Sequence, residues 1–346
     1  MKTQEFVKES MQRHNARSLA GLTLRNANGD IDTTALGYQI AIDTLTFIKK
    51  QVTEQKFYEI PVAEYVPVAV GDGVFAQNIL TNLAVNTSGK FEEGIINQGI
   101  GNDRLAIADA GISSKTIKVV NWAKAVGYSI FDIEQALQAN NWDLIESKHR
   151  ARKKNWDLGI QEMAFLGSLH DAGVLGLYTQ TAVTADTSVI NQSLSSSTAN
   201  EFAAIVAGLL AAYQANCNFT AMPTHFIIPQ DDYLGLVAPV SNTYPFNSKL
   251  EYLKKAFAEI VPGGVKVLPC VYGIASINKS RLNGGSGKDR YVMYRHDAES
   301  IRMDIPVDFT VTQPNTLNNF QFQDAAYGQF TGVGVYRNLE ILYFDI

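Results

Sequence analysis

Cysteine is nearly missing from this sequence, and so is every arrangement that would put it to work. The chain has 346 residues and two cysteines, Cys217 and Cys270. Two are too few for a disulfide framework at this length, so both are expected to be reduced and buried, in a compartment such as a bacterial cytoplasm. Histidine is scarce too. The five are His14, His149, His170, His225 and His296, and none stands at metal-ligand spacing from another histidine or a cysteine, which excludes a zinc motif. Charged residues make up only 18% of the chain, while hydrophobic residues, at 46%, are ordinary for a globular protein. A surface so short of charge hints that something other than water covers part of it. The formal net charge of -5 speaks against a general nucleic-acid binder, which carries a basic excess. A local basic patch stays open.

The absences continue among the motifs. No apolar run approaches the roughly 20 residues of a membrane span. The N-terminus, Met1-Lys2-Thr3-Gln4-Glu5-Phe6, lacks the apolar stretch that a secretory signal needs after its lysine. The expectation is a soluble chain that is not exported and has no membrane partner. There is no Gly-x-Ser-x-Gly elbow. Gly284-Gly285-Ser286-Gly287-Lys288-Asp289 has the wrong spacing and the wrong follower for a phosphate-binding loop and reads as a surface turn. Asp231-Asp232 starts a helix, where carboxylates are favoured without any cation. His170-Asp171 is a neighbouring pair with the chemistry of a hydrolytic dyad, and it carries the enzyme alternative. No catalytic, cofactor-binding or metal residue is assigned, and no cofactor is expected.

What is present is a sequence of contrasting textures. Residues up to about 57 read as an arm, split by the turn signal Asn26-Ala27-Asn28-Gly29-Asp30. Tyr38, Ile42, Leu45, Ile48 and Val52 then stand at helical spacing. Ile60-Pro61-Val62 and Tyr65-Val66-Pro67-Val68 read as extended, because proline biases its predecessor that way. A polar stretch from Asn86 to Ser114 comes next, marked by Gly89, Gly94, Gly99, Gly101 and Gly111. Beyond it, Thr116 to Tyr128 alternates like a strand. Two strand-like arms around so long a middle suggest an extended hairpin, which makes better sense packed on another chain than inside a compact domain.

Asp132 or a neighbour caps a short helix through Leu137. Trp142, Ile145, His149, Arg152, Trp156, Ile160 and Met163 then mark one face of a helix of about 26 residues, about 39 Å long, that ends at Gly167. Lys148, Arg150, Arg152, Lys153 and Lys154 form the one notable charge run. It is either a solvated face paired with Asp143, Glu146 and Asp157, or a surface that meets phosphates or a neighbour's acidic residues. Small and hydroxyl residues fill Gly173 to Ser197, and Ala199 to Asn216 reads as a buried helix. Further on, His225 to Pro229, Val265 to Tyr272 and Arg290 to Tyr294 read as strands. Helices begin at Asp231-Asp232 and around Leu250, the latter stopped by Pro262-Gly263-Gly264. The tail from Ile305 is extended, with Gly332 and Gly334 in a strand where backbones approach closely. Ile341-Leu342-Tyr343-Phe344 must be tied into a sheet.

This order of parts resembles the major capsid proteins of tailed phages with the HK97-type fold. The resemblance covers most of the chain. Its most specific stretch runs from Val126-Gly127-Tyr128-Ser129-Ile130-Phe131-Asp132 to Phe165-Leu166-Gly167, which is similar to the family's strand, short helix, spine helix and "FLG" turn. Gly173-Val174-Leu175-Gly176-Leu177 is similar to the "GxxGL" turn that comes after it in the family. Pro223 to Pro229 resembles the opening of the A-domain, and Gly332-Val333-Gly334-Val335-Tyr336-Arg337 the closing P-domain strand.

The resemblance implies an α+β fold with an N-terminal arm over 1–57. The E-loop hairpin and its flanking strands take 58–128. A P-domain over 129–221 holds the spine helix at about 141–167. The A-domain takes 222–305 and the return strands 306–346. It further implies a shell protein, not an enzyme, that self-assembles into hexamers and pentamers of an icosahedral or prolate head around double-stranded DNA. Scaffolding, portal and decoration proteins are the implied partners, and assembly takes place in the host cytoplasm. Lumen-facing or inter-subunit contacts would fall to the basic run at 148–154. Hairpin-tip contacts would fall to Asn97, Asn102, Asp103 and Arg104. Lys90 has no matching partners for a covalent crosslink. An encapsulin-type compartment shares the fold and is the nearest alternative. Packaged DNA or a cargo protein in purified particles would tell the two apart.

Overall fold

The computed structural model describes residues 56–87, 109–140, 144–241, 244–279, 286–318 and 320–346. The chain divides into two compact units, Met1–Phe57 and Tyr58–Ile346. The turn expected at 26–30 and the helix expected at 38–52 lie outside the described residues.

The second unit opens with a single helical turn, α1 (Val62–Tyr65), where an extended segment was expected. Pro61 is itself extended and serves as the N-cap. A proline constrains the residue before it and leaves the residues after it free to turn into a helix. Next come β1 (Val68–Val70), β2 (Asn78–Thr87) and the long β3 (Asp109–Ser129). Both β2 and β3 run into the stretch expected as loop, which is shorter than Asn86–Ser114. Then come α2 (Ile130–Asn140) and α3 (Leu144–Leu166). The N-cap of α2 is Ser129, not Asp132. Their side chains and backbone N–H groups exchange bonds of 3.1 Å each, a reciprocal cap. The remaining elements are β4 (Thr184–Asp186), α4 (Ala199–Asn216), β5 (His225–Pro229), α5 (Gln230–Gly235), β6 (Pro239–Ser241), β7 (Tyr244–Ser248), α6 (Lys249–Ile260) and β8 (Lys266–Cys270). After α7 (Ala275–Asn278) come β9 (Arg290–Tyr294), β10 (Ile301–Ile305), β11 (Val307–Val311), β12 (Asn315–Asn318), β13 (Gln321–Thr331), β14 (Val333–Val335) and β15 (Ile341–Asp345).

Two sheets organise the unit. One has the order β11-β13-β3-β2 and is antiparallel throughout. Helix α3 lies across it. Trp156 packs on Trp122 and Phe330 at ring distances of 5.1 and 6.0 Å, in a space left by Gly328, where a Cβ would come within 2.4 Å of the indole. The other sheet has the order β4-β15-β9-β5-β8. Its strands alternate between two cores. Ile227, Val292, Ile341 and Tyr343 face the core shared with α3. Phe226, Tyr291, Leu342 and Phe344 face a second core built with α4 and α6. Strand β4, helix α4 and the closing strand pack with β5, α6, β8 and β9 across the expected boundaries at 221/222 and 305/306, and β15 is an interior strand, second of five in its sheet. The apolar residues Ile341–Phe344 are buried on both faces, which only an interior strand allows.

The glycine-marked motifs meet at one crossing at the end of α3. Gly167, at φ 73°, would place a Cβ 2.4 Å from the carbonyl oxygen of Val174. A Cβ on Gly176 would lie 2.4 Å from the Phe165 carbonyl, and one on Gly332 would lie 2.6 Å from the Leu175 oxygen. Leu177 and Tyr178 donate to the carbonyls of Ala164 and Phe165, and Val333 donates to Leu175 at 2.7 Å. These obstacles are backbone atoms, which cannot swing aside. Gly176→Ala and Gly332→Ala are therefore expected to destabilise the protein by about 1–3 kcal/mol or more. Gly159→Ala, in open space on α3, is expected to stabilise it by about 0.5–1 kcal/mol. Urea unfolding of the three variants checks both signs.

Between α1 and the second sheet sits a pair of imidazoles. His225 and His296 stack at 4.6 Å, and Thr224 joins them through contacts to His225 Nδ1 and the His296 N–H. Burial, then the neighbouring His296 and Lys266, push His225 down to about 4. The unfolded chain then takes up the proton first. The stability contributed by neutral His225 is complete above about 6.5 and falls away as pH drops toward 4. His225→Phe, which keeps a ring in the stack, is expected to flatten this part of the acid decline. Urea midpoints of wild type and variant at pH 7 and 4.5 give the comparison.

Candidate functional site

Helix α3 separates its residues by their neighbours. On the face toward β3 and β13, the spacing that predicts the apolar stripe also carries Arg152, which is buried. Its guanidinium donates to Asp324 Oδ2 at 2.7 Å and to the Asp324 carbonyl at 3.1 Å, and both side chains are only 1% exposed. The same carboxylate faces His149 Nε2 at 3.7 Å. Arg152 is thus no member of a surface patch. It ties the helix to the middle of β13. Asp324 escaped the sequence reading because it lies 172 residues away. A signal was present all the same. Asp324 stands at every-second spacing with Phe322, Ala326 and Phe330, a lone charge on the buried face of a strand that answers a lone charge on the buried stripe of a helix.

The other four cations of the run lie outward, each with an acceptor. Lys148 donates to the Gly127 carbonyl at 2.8 Å. Arg150 pairs with Glu146 and Lys153 with Asp157 one turn away, at 2.5 and 3.2 Å. Lys154 pairs with Glu59, and Lys153 also lies 5.2 Å above the Phe309 ring. Asp143 lies outside the described residues. Exposed pairs of this kind hold by only about 0.3–0.5 kcal/mol. A phosphate or a neighbour's carboxylate can replace one of these acceptors at little cost.

The hairpin is the second candidate surface. Asn97, Asn102, Asp103 and Arg104, its expected tip, lie outside the described residues, as does Lys90. The described ribbon pairs Asn78–Thr87 with Asp109–Lys118 in unbroken register. Leu80 and Ile112 lie on one face of it and are exposed, Ile112 by 79%. From Ala110 to Ser114 every residue is exposed, so neither face of this part rests on a core.

The His170-Asp171 pair belongs to the turn after α3. Asp171 accepts from Lys118 and from the Gly173 N–H, and these donors hold its carboxyl below the usual range. Its carboxylate orders the turn through Lys118 and the backbone. Among the described residues, no group of three or more histidine, cysteine or acidic side chains gathers as a metal-ligand set.

Residues 95–346 match the profile of the family described as Major capsid protein. The chain belongs to that family. Similar solved structures include the capsid of Myoviridae Phage XM1, 16% identical, with a TM-score of 0.70 over 88% of this chain and 97% of that one. The capsid of a native GTA particle is 15% identical, with a TM-score of 0.53 over 88% and 97%. A structure from Mycobacterium phage Ogopogo is 10% identical, with a TM-score of 0.54 over the same shares. No curated protein matches the sequence. The capsid protein has the HK97-like α+β fold. It is a structural protein of a shell.

Breaking the Arg152–Asp324 pair from either side leaves a buried charge without its partner. Arg152→Ala and Asp324→Ala are each expected to cost about 3–5 kcal/mol. Arg150→Ala and Lys153→Ala are expected to cost less than about 0.5 kcal/mol. Chemical denaturation of the four variants gives the contrast, and a double Arg152→Met, Asp324→Leu variant should recover much of the loss.

Proposed function

We propose that the capsid protein self-assembles into hexamers and pentamers of an icosahedral or prolate head that encloses double-stranded DNA, and that it does no chemistry of its own. The observation that carries the reading is the ribbon of β2 and β3. A two-stranded ribbon without a core is marginal in water, and here residues 110–114 have no covered face. Such an element gains stability when it lies across another chain. In a shell of many copies, that chain is the adjacent subunit.

In this reading the hairpin, about 70–118, overlies the neighbour, and its tip at Asn97, Asn102, Asp103 and Arg104 makes contacts there. The region of about 222–305 lines the ring axis. Contacts between unlike surfaces close into rings on a symmetry axis, and contacts between rings close the sphere. Lys148, Arg150, Lys153 and Lys154 serve as weakly committed cations toward packaged DNA or a neighbour's acidic residues, without base reading. Assembly takes place in the host cytoplasm, with scaffolding, portal and decoration proteins as further partners.

Deleting residues 97–103 is expected to leave a folded protein, with native circular dichroism, that fails to assemble. Sedimentation velocity and negative-stain microscopy would read the result, and normal shells from the deletion would sink the assignment of the hairpin. Nuclease-protected double-stranded DNA in purified particles is the outcome expected for a head.

A further inference from the structure

Among the described residues, three that are not glycine have positive φ: Phe75 at 60°, Asn218 at 51° and Phe219 at 60°. The last two close α4, and a left-handed residue is a usual helix terminator. Phe75 has no such reason. It sits in the turn between β1 and β2, in a conformation that a bulky side chain rarely adopts. The turn is firmly built. Gly71 and Gly73 take φ of 94° and 77°. Gly71 donates to the Ile305 carbonyl and Ala76 to that of Gly73, each at 3.0 Å. The Phe75 N–H donates to Gln329 Oε1 at 2.8 Å, and the amide of Gln329 donates in turn to Asn121 at 2.7 Å. Gln329 is buried.

All this holds an aromatic ring in water. Phe75 is 70% exposed, and Val70 and Val74 beside it are exposed too. Backbone strain and a buried amide that present an apolar group to solvent gain nothing for a lone chain. They are offset once another surface covers the ring, because a preset aromatic anchor loses little freedom on docking.

The surroundings indicate the occupant. Strand β2 comes directly after the turn and, among the described residues, forms one edge of its sheet. Free edges are commonly guarded by charge or proline, and β2 carries neither. Between Glu64 and Lys90 the only charged residue is Asp72. The nearest cations lie on the paired strand β3, Lys118 opposite Asn78 and Lys115 opposite Thr81, and both are engaged within the chain, by the Asp171 carboxylate and the Val335 carbonyl. The apolar patch itself carries no charge, so it fits protein better than a phosphate backbone or an anionic lipid. We propose that Phe75, with Val70 and Val74, is the anchor by which the base of the hairpin seats on a second copy of this chain. This rests on the shell reading and assigns the seat to a specific side chain, positioned by Gln329.

Phe75→Gly relieves the strain and removes the anchor. Subunits of this variant are expected to unfold in urea at the same concentration as wild type or a higher one, yet to need at least about tenfold more protein to assemble. Phe75→Asn, whose side chain tolerates positive φ, should behave alike and guards against misfolding of the glycine variant. Val74→Cys supplies a direct readout, since both native cysteines are buried. Its thiol should react with a maleimide in dissociated subunits and be protected in particles. Wild-type assembly by both Phe75 variants, or equal labelling in particles, would overturn the anchor while leaving the hairpin reading intact, provided that the 97–103 deletion still blocks assembly. A wild-type chain that stays monomeric at every concentration would overturn both.

Discussion

The architecture depends on backbones passing closer than any side chain permits. At the end of α3, the segments around Gly167, Gly176 and Gly332 touch through main-chain atoms, and the hydrogen bonds between them leave no room for a Cβ. The helix, the turn after it and the return strand toward β14 are fixed to one another there. Both sheets depend on that junction, since β13 enters it from one side and Tyr178 leads from it into the other lobe. Arg290 completes the link. It donates to the Tyr178 carbonyl at 2.5 Å, pairs with Asp345 and lies over the Tyr343 ring.

Much of this was legible in the sequence, because it is written in local patterns. Helical spacing marked α3 and α4, short apolar runs marked β5 and β9, and the order of the glycine motifs carried the family. The close approach at Gly332 and Gly334 could be read from glycine inside a strand. The part that was not legible is long-range. Nothing near Ile341–Phe344 says that this strand inserts between β4 and β9 as an interior strand of that sheet. The basic run shows the same limit. Charge density suggested a patch, but the burial of Arg152 depends on Asp324, and periodicity on each element had to be matched across 172 residues to reveal it.

Polar groups divide the labour in a way that composition alone conceals. Inside, they fix geometry. Lys249 donates to the carbonyls of Leu194, Ser195 and Ser197, and Asp232 accepts from Leu194, Ser195 and Tyr291. The serine run is thereby a fixed turn. Outside, β2 carries no charge, and Leu80 and Ile112 on the described ribbon meet water. Buried ionic pairs contribute more to uniqueness than to net stability, which suits a subunit that must present one shape many times over.

The position of β15 has a consequence for synthesis. Residues 341–345 fill the gap between β4 and β9 and contribute to both cores. A chain interrupted anywhere before them cannot close the lobe, however well the preceding parts have formed. It keeps two open strand edges and an unfilled interior, features that direct a polypeptide to aggregation or degradation. The fold thus carries its own proofreading. Fragments that stop short of residue 341 are excluded from the pool of building blocks because they lack the strand that pairs with both β4 and β9.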